Sequence, residues 1–171
     1  NQINLNVSEK INFDYDLENL REENIKKDYC FFFKNHNFFK WRYEIYKKSY
    51  LIKIFDNNNF LGYCTLVKTD ALKLSNMIIL DFQFRKKISF FQKIMLKFKI
   101  IEICTKNKVD TLFTMGNENN FMFKNILGYP FFKIPNSILP HSNPMFIHNA
   151  SEKDLNKLKY VNFTISDFDY F

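Results

Sequence analysis

Glycine is scarce in this chain, and the spacing of its glycines is informative. The 171 residues include 3 glycines, and no glycine lies between Gly62 and Gly116. Glycine turns let backbone amides approach a bound phosphate closely, because they carry no side chain. A glycine-rich phosphate-binding turn is therefore excluded from the whole stretch between these two residues.

Cysteine is also rare, and its pattern excludes several classes of protein. Cys30, Cys64 and Cys104 are odd in number and widely spaced, and no Cys-x-x-Cys or Cys/His metal spacing occurs. We expect free thiols in a reducing compartment, hence a cytoplasmic protein without a metal site. No apolar run reaches the roughly 18 residues of a membrane span, and no signal peptide is apparent.

The composition predicts one folded domain spanning residues 1–171. Hydrophobic residues make up 46% of the chain, with 22 Phe, which is too apolar for a disordered segment. The first residue is Asn1 rather than Met, so we expect a piece of a longer protein. The net charge of +7 favours phosphate-bearing ligands. The basic residues are scattered and form no recognised motif, so nucleic acid is not an expected partner.

Hydrophobic periodicity predicts an α/β fold with a mixed central sheet. An antiparallel meander of three strands comes first, and a β-α-β-α-β succession follows it. Asparagines at 57–59 predict the turn of a β-hairpin. We predict strands over 50–55, 61–68, 74–84, 110–115, 129–134, 145–148 and 160–165, with an extended segment over 1–13. We predict helices over 14–27, from an Asn37 cap through Tyr46, and over 88–106, 118–127 and 151–157.

The long helix over 88–106 carries an apolar stripe at three- and four-residue spacings. This periodicity predicts a face that packs in the protein core rather than a binding groove. Its members are Ile88, Phe91, Ile94, Met95, Phe98 and Ile101.

Three short motifs carry a resemblance to a known superfamily. Trp41-Arg42-Tyr43 precedes the predicted hairpin, Asp81 lies near the end of the third strand, and Asn117 is followed eleven residues later by Gly128. The chain resembles the GNAT N-acetyltransferases, and in particular the C-terminal GNAT-like domain of acyltransferases from bacterial polysaccharide gene clusters. The resemblance implies a mixed sheet flanked by helices, and acetyl-CoA or another acyl-CoA as cofactor.

The resemblance also implies a set of site residues. Asp81 corresponds to a general base, and Lys124 replaces the tyrosine that serves as general acid. Arg42 and Tyr43 correspond to an acceptor-binding segment. The implied cofactor-binding residues are Arg85, Lys86, Lys87, Ser89 and Asn117. Three of these assignments also have a simpler interpretation: a turn cap for Asp81, and solvated surface for Lys124 and for the basic turn.

The cofactor turn departs from the pattern of the superfamily. The pattern is Gln/Arg-x-x-Gly-x-Gly/Ala, and Ile88 and Phe90 occupy the positions of its small residues. Two functions therefore remain open. One is an acyltransferase that acts on the amine of an amino sugar or amino acid. The other is a degenerate domain that shapes the acceptor site of a second GNAT-like domain in the same chain, or packs against it.

Two further alternatives rest on other features. An aminoacyl transferase of the Fem type would use aminoacyl-tRNA, which suits the basic charge, but the long helical arm of such enzymes is missing. An unrelated α/β binding module becomes the better interpretation if the strands over 74–84 and 110–115 do not splay apart as parallel neighbours.

Overall fold

The computed structural model describes residues 3–26, 35–71, 73–116, 121–126, 128–129 and 131–132. These residues form five strands and four helices. The strands are β1 (Ile3–Ser8), β2 (Ser49–Asp56), β3 (Asn59–Ala71), β4 (Leu74–Phe84) and β5 (Thr111–Thr114), and the helices are α1 (Tyr15–Lys26), α2 (His36–Glu44), α3 (Phe90–Lys106) and α4 (Phe121–Ile126).

The strands form one mixed sheet in the order β1-β2-β3-β4-β5. The first four strands are antiparallel neighbours, and β5 pairs with β4 in parallel. This confirms the predicted meander followed by a parallel crossover. The parallel pairing joins Asn76 to Thr111 at one end and Ile79 to Thr114 at the other, while β4 continues to Phe84.

The hairpin between β2 and β3 closes as its asparagines predict. Asn57 and Asn58 form the turn with φ angles of 47° and 70°. Two positive φ angles are typical of the type I′ turn, whose twist matches that of the flanking strands. Asparagine tolerates this left-handed region better than most residues, so the turn forms without glycine.

The first two helices begin at side-chain caps. Asp14 precedes α1, and its carboxylate accepts from the Leu17 amide at 3.4 Å. Asn35 caps α2, because its side chain accepts from the Phe38 amide at 3.0 Å. The prediction that Asn37 is this cap was wrong, since the helix begins at His36.

The two faces of the sheet carry separate hydrophobic cores. Helices α3 and α4 cover one face, where Phe82 of β4 stacks on Phe123 with ring centroids 5.8 Å apart. Helices α1 and α2 cover the other face, where Phe39 and Tyr43 pack around Tyr63. Gly62 allows β3 to approach β4, because a Cβ there would lie 2.3 Å from the Gln83 carbonyl oxygen.

The apolar stripe predicted for the core of α3 lies mostly on its outer face, so that prediction was wrong. Phe91 is 71% exposed and Phe98 is 66% exposed. A second set of side chains faces inward instead. The buried residues at α3 are Ile88, just before the helix, and Gln92, Leu96, Lys97, Ile100 and Ile103 within it.

Helix α4 is described over a shorter span than predicted. Gly128 adopts a φ of 94°, which suits a residue that ends a helix. The predictions that fall on residues 1–2, 27–34, 117–120 and 133–171 lie outside the described residues. They include most of the strand over 129–134, the strands over 145–148 and 160–165, and the helix over 151–157. Among the described helices, none has the length and apolarity that crossing a bilayer requires.

Two of the three cysteines are described, and both are free thiols. Burial raises the pKa of the Cys104 thiol to about 11. Burial and the nearby Asp81 charge also raise the pKa of Cys64. Both shifts disfavour the thiolate, which is the reactive form.

We therefore expect slow alkylation of Cys104 in the native protein. At pH 8 a thiol of pKa 11 has about one hundredth of the thiolate of a thiol of pKa 9. Iodoacetamide labelling, followed by mass spectrometry of the peptides, should rise steeply for Cys104 between pH 8 and 10. Labelling of Cys104 at pH 8 as fast as in the urea-unfolded chain would contradict the burial.

Candidate functional site

The turn between β4 and α3 starts at Arg85. It is the turn that the resemblance to the superfamily implies as the cofactor-binding one. The Arg85 amide donates to the Leu61 carbonyl at 2.9 Å. Its guanidinium lies 3.1 Å from the Glu23 carboxylate of α1, and 6.0 Å from the centroid of the Phe60 ring. The Arg85 side chain therefore links this turn to α1.

Backbone amides of the turn donate to side chains of the protein itself. The Ile88 amide donates to Asn125 Oδ1 at 3.2 Å. The Ser89 amide donates to Gln92 Oε1 at 2.7 Å, and Ser89 Oγ accepts in return from the Gln92 amide at 3.3 Å. This reciprocal pair is a capping box. Asn125 also donates to the Lys86 carbonyl at 3.2 Å, so it fastens the turn to α4.

The lysines around this turn fall into two groups. Lys86 and Lys87 are exposed, and their ammonium groups are accessible to an anion. Lys93 donates to the Lys124 carbonyl at 2.9 Å. Lys97 donates to the Gly128 and Tyr129 carbonyls at 2.8 and 3.1 Å.

Lys93 and Lys97 therefore bind carbonyls near the end of α4. Burial lowers the pKa of both lysines, and the charge of Lys87 adds to this effect at Lys93. These two ammonium groups already have acceptors within the protein.

Asp81 is fully buried in β4. One carboxylate oxygen accepts from the Tyr63 hydroxyl at 2.8 Å, and the other accepts from the Phe82 amide at 2.9 Å. Tyr63 belongs to the core beneath α1 and α2, so the carboxylate faces that side of the sheet. A general base must reach the proton that it removes, and Asp81 has no solvent-exposed surface.

Tyr43 of α2 lies in the same hydrogen-bonded chain as Asp81. Its hydroxyl is 2.9 Å from Thr65 Oγ, and Thr65 Oγ donates to the Asp81 carbonyl at 3.2 Å. Because the threonine has one proton to give, Tyr43 donates to Thr65. Arg42 is also buried, with its guanidinium carbon 5.8 Å from the centroid of the Trp41 ring.

The structure brings some of the predicted site residues together and separates others. Tyr43 and Asp81 share one network on the side of α1 and α2. Lys124 is an exposed residue of α4, on the opposite side of the sheet. Asn117 lies outside the described residues. The roles that the resemblance implies for these residues stay predictions.

A cleft of about 540 Å³ lies between α2 and the segment that follows β1. This volume is within the range that binds small ligands, about 300–1,000 Å³. The Tyr46 hydroxyl is buried without a hydrogen-bond partner among the described residues. Burial raises the pKa of Tyr46, and the Arg42 charge acts in the opposite direction. The lining comprises residues 9–13 and His36, Phe39, Lys40, Tyr43, Glu44, Tyr46, Lys47 and Ser49.

Sequence reasoning predicted Arg42 and Tyr43 of α2 as acceptor-binding residues, but it missed Tyr46 as a residue that lines the cleft. The signal was available in the spacing, because Phe39, Tyr43 and Tyr46 lie four and three residues apart, as on one helical face, although α2 itself ends at Glu44. Asn125 was also missed, since nothing local marks its contact with a turn that lies 37 residues earlier in the chain. Within the described ranges, no group of three or more His, Cys, Asp or Glu side chains is placed to hold a metal ion.

Comparison with known proteins identifies the fold. A crystal structure of a probable acetyltransferase is similar to this chain, with a TM-score of 0.54 and 10% sequence identity. The similarity covers 85% of this chain and 99% of the other. No protein-family model matches the chain, and no curated protein matches it.

The chain therefore has a GNAT-like α/β fold. The parallel pairing of β4 and β5, at the position expected for this fold, argues against an unrelated α/β module.

Proposed function

We propose that this chain is an accessory GNAT-like domain, which shapes an acceptor site and packs against a catalytic GNAT-like partner domain. The observation that supports the proposal is the hydrogen bonding of the turn between β4 and α3. The Ile88 and Ser89 amides donate to Asn125 and Gln92 rather than pointing to open space. A phosphate at a helix N-terminus needs such amides as donors.

Arg85 and the first turn of α3 fit acyl-CoA no better. Arg85 is the residue that matches the pattern of the superfamily, and its guanidinium is ion-paired with Glu23. Phe90 and Phe91 occupy the first turn of α3 and are each 71% exposed. Two phenyl rings therefore lie at the helix end where a hydrated diphosphate would need polar partners. The residues present do not fit the cofactor.

The α2 cleft is the part of the structure that suits an acceptor. Tyr43 and Tyr46 provide aromatic surface, and lysines and glutamates around them provide charges of both signs. This combination suits an amino sugar or amino acid, which presents apolar faces together with ionic groups. The link to surface polysaccharide, and the location of this domain in the C-terminal half of a two-domain protein, rest on the resemblance to proteins of polysaccharide gene clusters.

Calorimetric titration with acetyl-CoA tests the proposal. We expect no saturable binding by this chain up to about 1 mM ligand, a concentration at which even a binding free energy of about −4 kcal/mol would be detected. The Lys86→Glu/Lys87→Glu variant is the matched control, because it reverses the charge of the two exposed lysines that attract the anionic ligand. Saturable micromolar binding that this variant abolishes would overturn the proposal, because the turn would then hold the cofactor.

Titration of the 15N-labelled chain with glucosamine tests the acceptor role. We expect amide shifts confined to the segments 9–13 and 36–49, which contain the lining residues of the cleft. The variant Tyr43→Phe keeps the ring and removes the hydroxyl that bonds to Thr65. Shifts spread evenly over the surface would contradict a specific acceptor site.

A second candidate function is acyl transfer by this domain itself. The continuation of β4 to Phe84 beyond its pairing with β5 favours it, because splayed parallel strands accommodate the cofactor arm in the superfamily. An assay of acetyl transfer to glucosamine distinguishes the two functions. Turnover by the chain alone would favour this candidate, and turnover only with a partner domain would favour the accessory role.

A further inference from the structure

The outer face of α3 is unusually apolar for a surface helix. Phe90, Phe91 and Phe98 are 71%, 71% and 66% exposed, and Met95 and Ile101 are exposed as well. A surface helix ordinarily places polar residues on its solvent side, and a helix that is apolar all round is normally buried. The inner face of α3 is also apolar, since Leu96, Ile100 and Ile103 pack on the sheet.

Apolar side chains of the outer face, three of them exposed and Ile94 half-buried, follow the spacing of a helix–helix contact. Phe91, Ile94, Phe98 and Ile101 are separated by three, four and three residues. This is the a–d repeat along which two helices interlock their side chains. We use the name α3 seam for these four residues.

We propose that the α3 seam pairs with the α3 seam of a second copy of this chain, about a two-fold axis. Antiparallel pairing about a two-fold axis near residue 96 places Phe91 opposite Ile101 of the second copy, and Ile94 opposite its Phe98. Each contact thus joins a large side chain to a smaller one, and the surface is complementary to itself. Self-complementarity of this kind is what a two-fold interface requires.

The charges of α3 agree with pairing to a second copy of this chain. No lysine lies in the α3 seam, and the one acid of the helix, Glu102, is ion-paired with Lys99 of the same helix. Lys93 and Lys97 bind carbonyls near the end of α4, away from the α3 seam. The residues of the α3 seam carry no charge, so the contacts of Phe91 with Ile101 and of Ile94 with Phe98 bring no charges together, although the chain has a net charge of +7.

The exposed area suits a small dimer interface. At their observed exposure, Phe90, which directly precedes the α3 seam, and Phe91 and Phe98 within it together offer roughly 300–500 Å² per copy, from about 150–250 Å² for a whole aromatic side chain. A stable interface buries about 800 Å² per partner, and Ile94, Met95 and Ile101 supply part of the remainder. We therefore expect a dimer that dissociates on dilution into the low micromolar range.

Sedimentation equilibrium from about 5 to 500 µM tests the pairing, in a range that brackets micromolar affinity. We expect a monomer–dimer equilibrium whose dissociation constant rises at least tenfold in Phe98→Lys. The matched control is Tyr15→Lys, which changes an aromatic residue of α1 that is 78% exposed. This control should dimerise like the unmodified chain.

Two results would overturn the proposal. One is a chain that stays monomeric at 500 µM, and the other is a dimer that Phe98→Lys leaves unchanged or that Tyr15→Lys weakens equally. Circular dichroism shows whether each variant remains folded, and both altered side chains are largely exposed, so folding should be retained.

Cysteine cross-linking tests the orientation of the pair. Mixing Phe91→Cys with Ile101→Cys under diamide should give a disulfide-linked dimer on a non-reducing gel. Phe91→Cys alone should not give one, because antiparallel pairing separates the two copies of position 91 by about 15 Å at 1.5 Å per residue. The reverse outcome would show a parallel pair and contradict the antiparallel arrangement.

Discussion

Asn125→Ala is expected to destabilise the native state by about 2–4 kcal/mol, from the hydrogen bonds that it loses in a buried site. The Asn125 side chain is fully buried. It accepts from the Ile88 amide and donates to the Lys86 carbonyl, both at 3.2 Å. Alanine leaves the buried Ile88 amide without a partner and opens a small cavity between α4 and the turn. Urea unfolding, followed by circular dichroism, measures the free energy of unfolding.

The neighbouring residue provides the control for this change. Lys124 is exposed on the same helix, so Lys124→Ala should change the free energy of unfolding by about 0.5 kcal/mol or less. Asn125→Asp keeps an acceptor for the Ile88 amide and should recover part of the loss, although it buries a charge. Equal and small effects for Asn125→Ala and Lys124→Ala would show that the turn is not held by Asn125.

Local chemistry made the hairpin and several helix ends predictable from the sequence. Asn57 and Asn58 specify their turn through their own backbone preference, so neither needs a distant partner. The polar start of α1 at Asp14 and the Ile/Leu-rich run of β4 are local signals in the same sense. Elements of this kind are recognised because their causes lie within a few residues of the effect.

The orientation of α3 was not predictable by the same reasoning. Both faces of this helix are apolar, so a periodicity of 3.6 residues finds two stripes and does not show which one packs on the sheet. The buried stripe includes Gln92 and Lys97, two polar residues that sequence reasoning places outside. Their partners explain the burial, since Gln92 caps its own helix and Lys97 binds carbonyls near the end of α4.

The surroundings of the predicted site residues depend on contacts far apart in sequence. Asp81 lies opposite Thr65 only because β3 and β4 pair in a particular register, which shifts at the Thr65/Leu66 irregularity. A one-residue change of register moves side chains to the other face of the sheet. The sequence located Asp81 near the end of β4, but the Tyr63 contact required the structure.

Asp81→Ala is expected to cost about 2–4 kcal/mol of stability, because a fully buried carboxylate is removed from its donors. The Tyr63 hydroxyl and the Phe82 amide each lose an acceptor, at 2.8 and 2.9 Å in the native structure. A residue that serves only catalysis often contributes nothing to the stability of the folded state, or lowers it. Its removal then leaves the free energy of unfolding unchanged or raises it. The sign of the effect in urea unfolding therefore separates a structural role for Asp81 from a purely catalytic one.

A double-mutant cycle with Tyr63→Phe isolates the interaction itself. Tyr63→Phe keeps the ring in the core and removes one hydrogen bond, which should cost about 1 kcal/mol. If the hydroxyl and the carboxylate bind each other as the 2.8 Å distance indicates, the double variant should be more stable than the sum of the single losses predicts, by about 0.5–1 kcal/mol. Additive losses would mean that the carboxylate is stabilised elsewhere, and would contradict a stabilising bond between Tyr63 and Asp81.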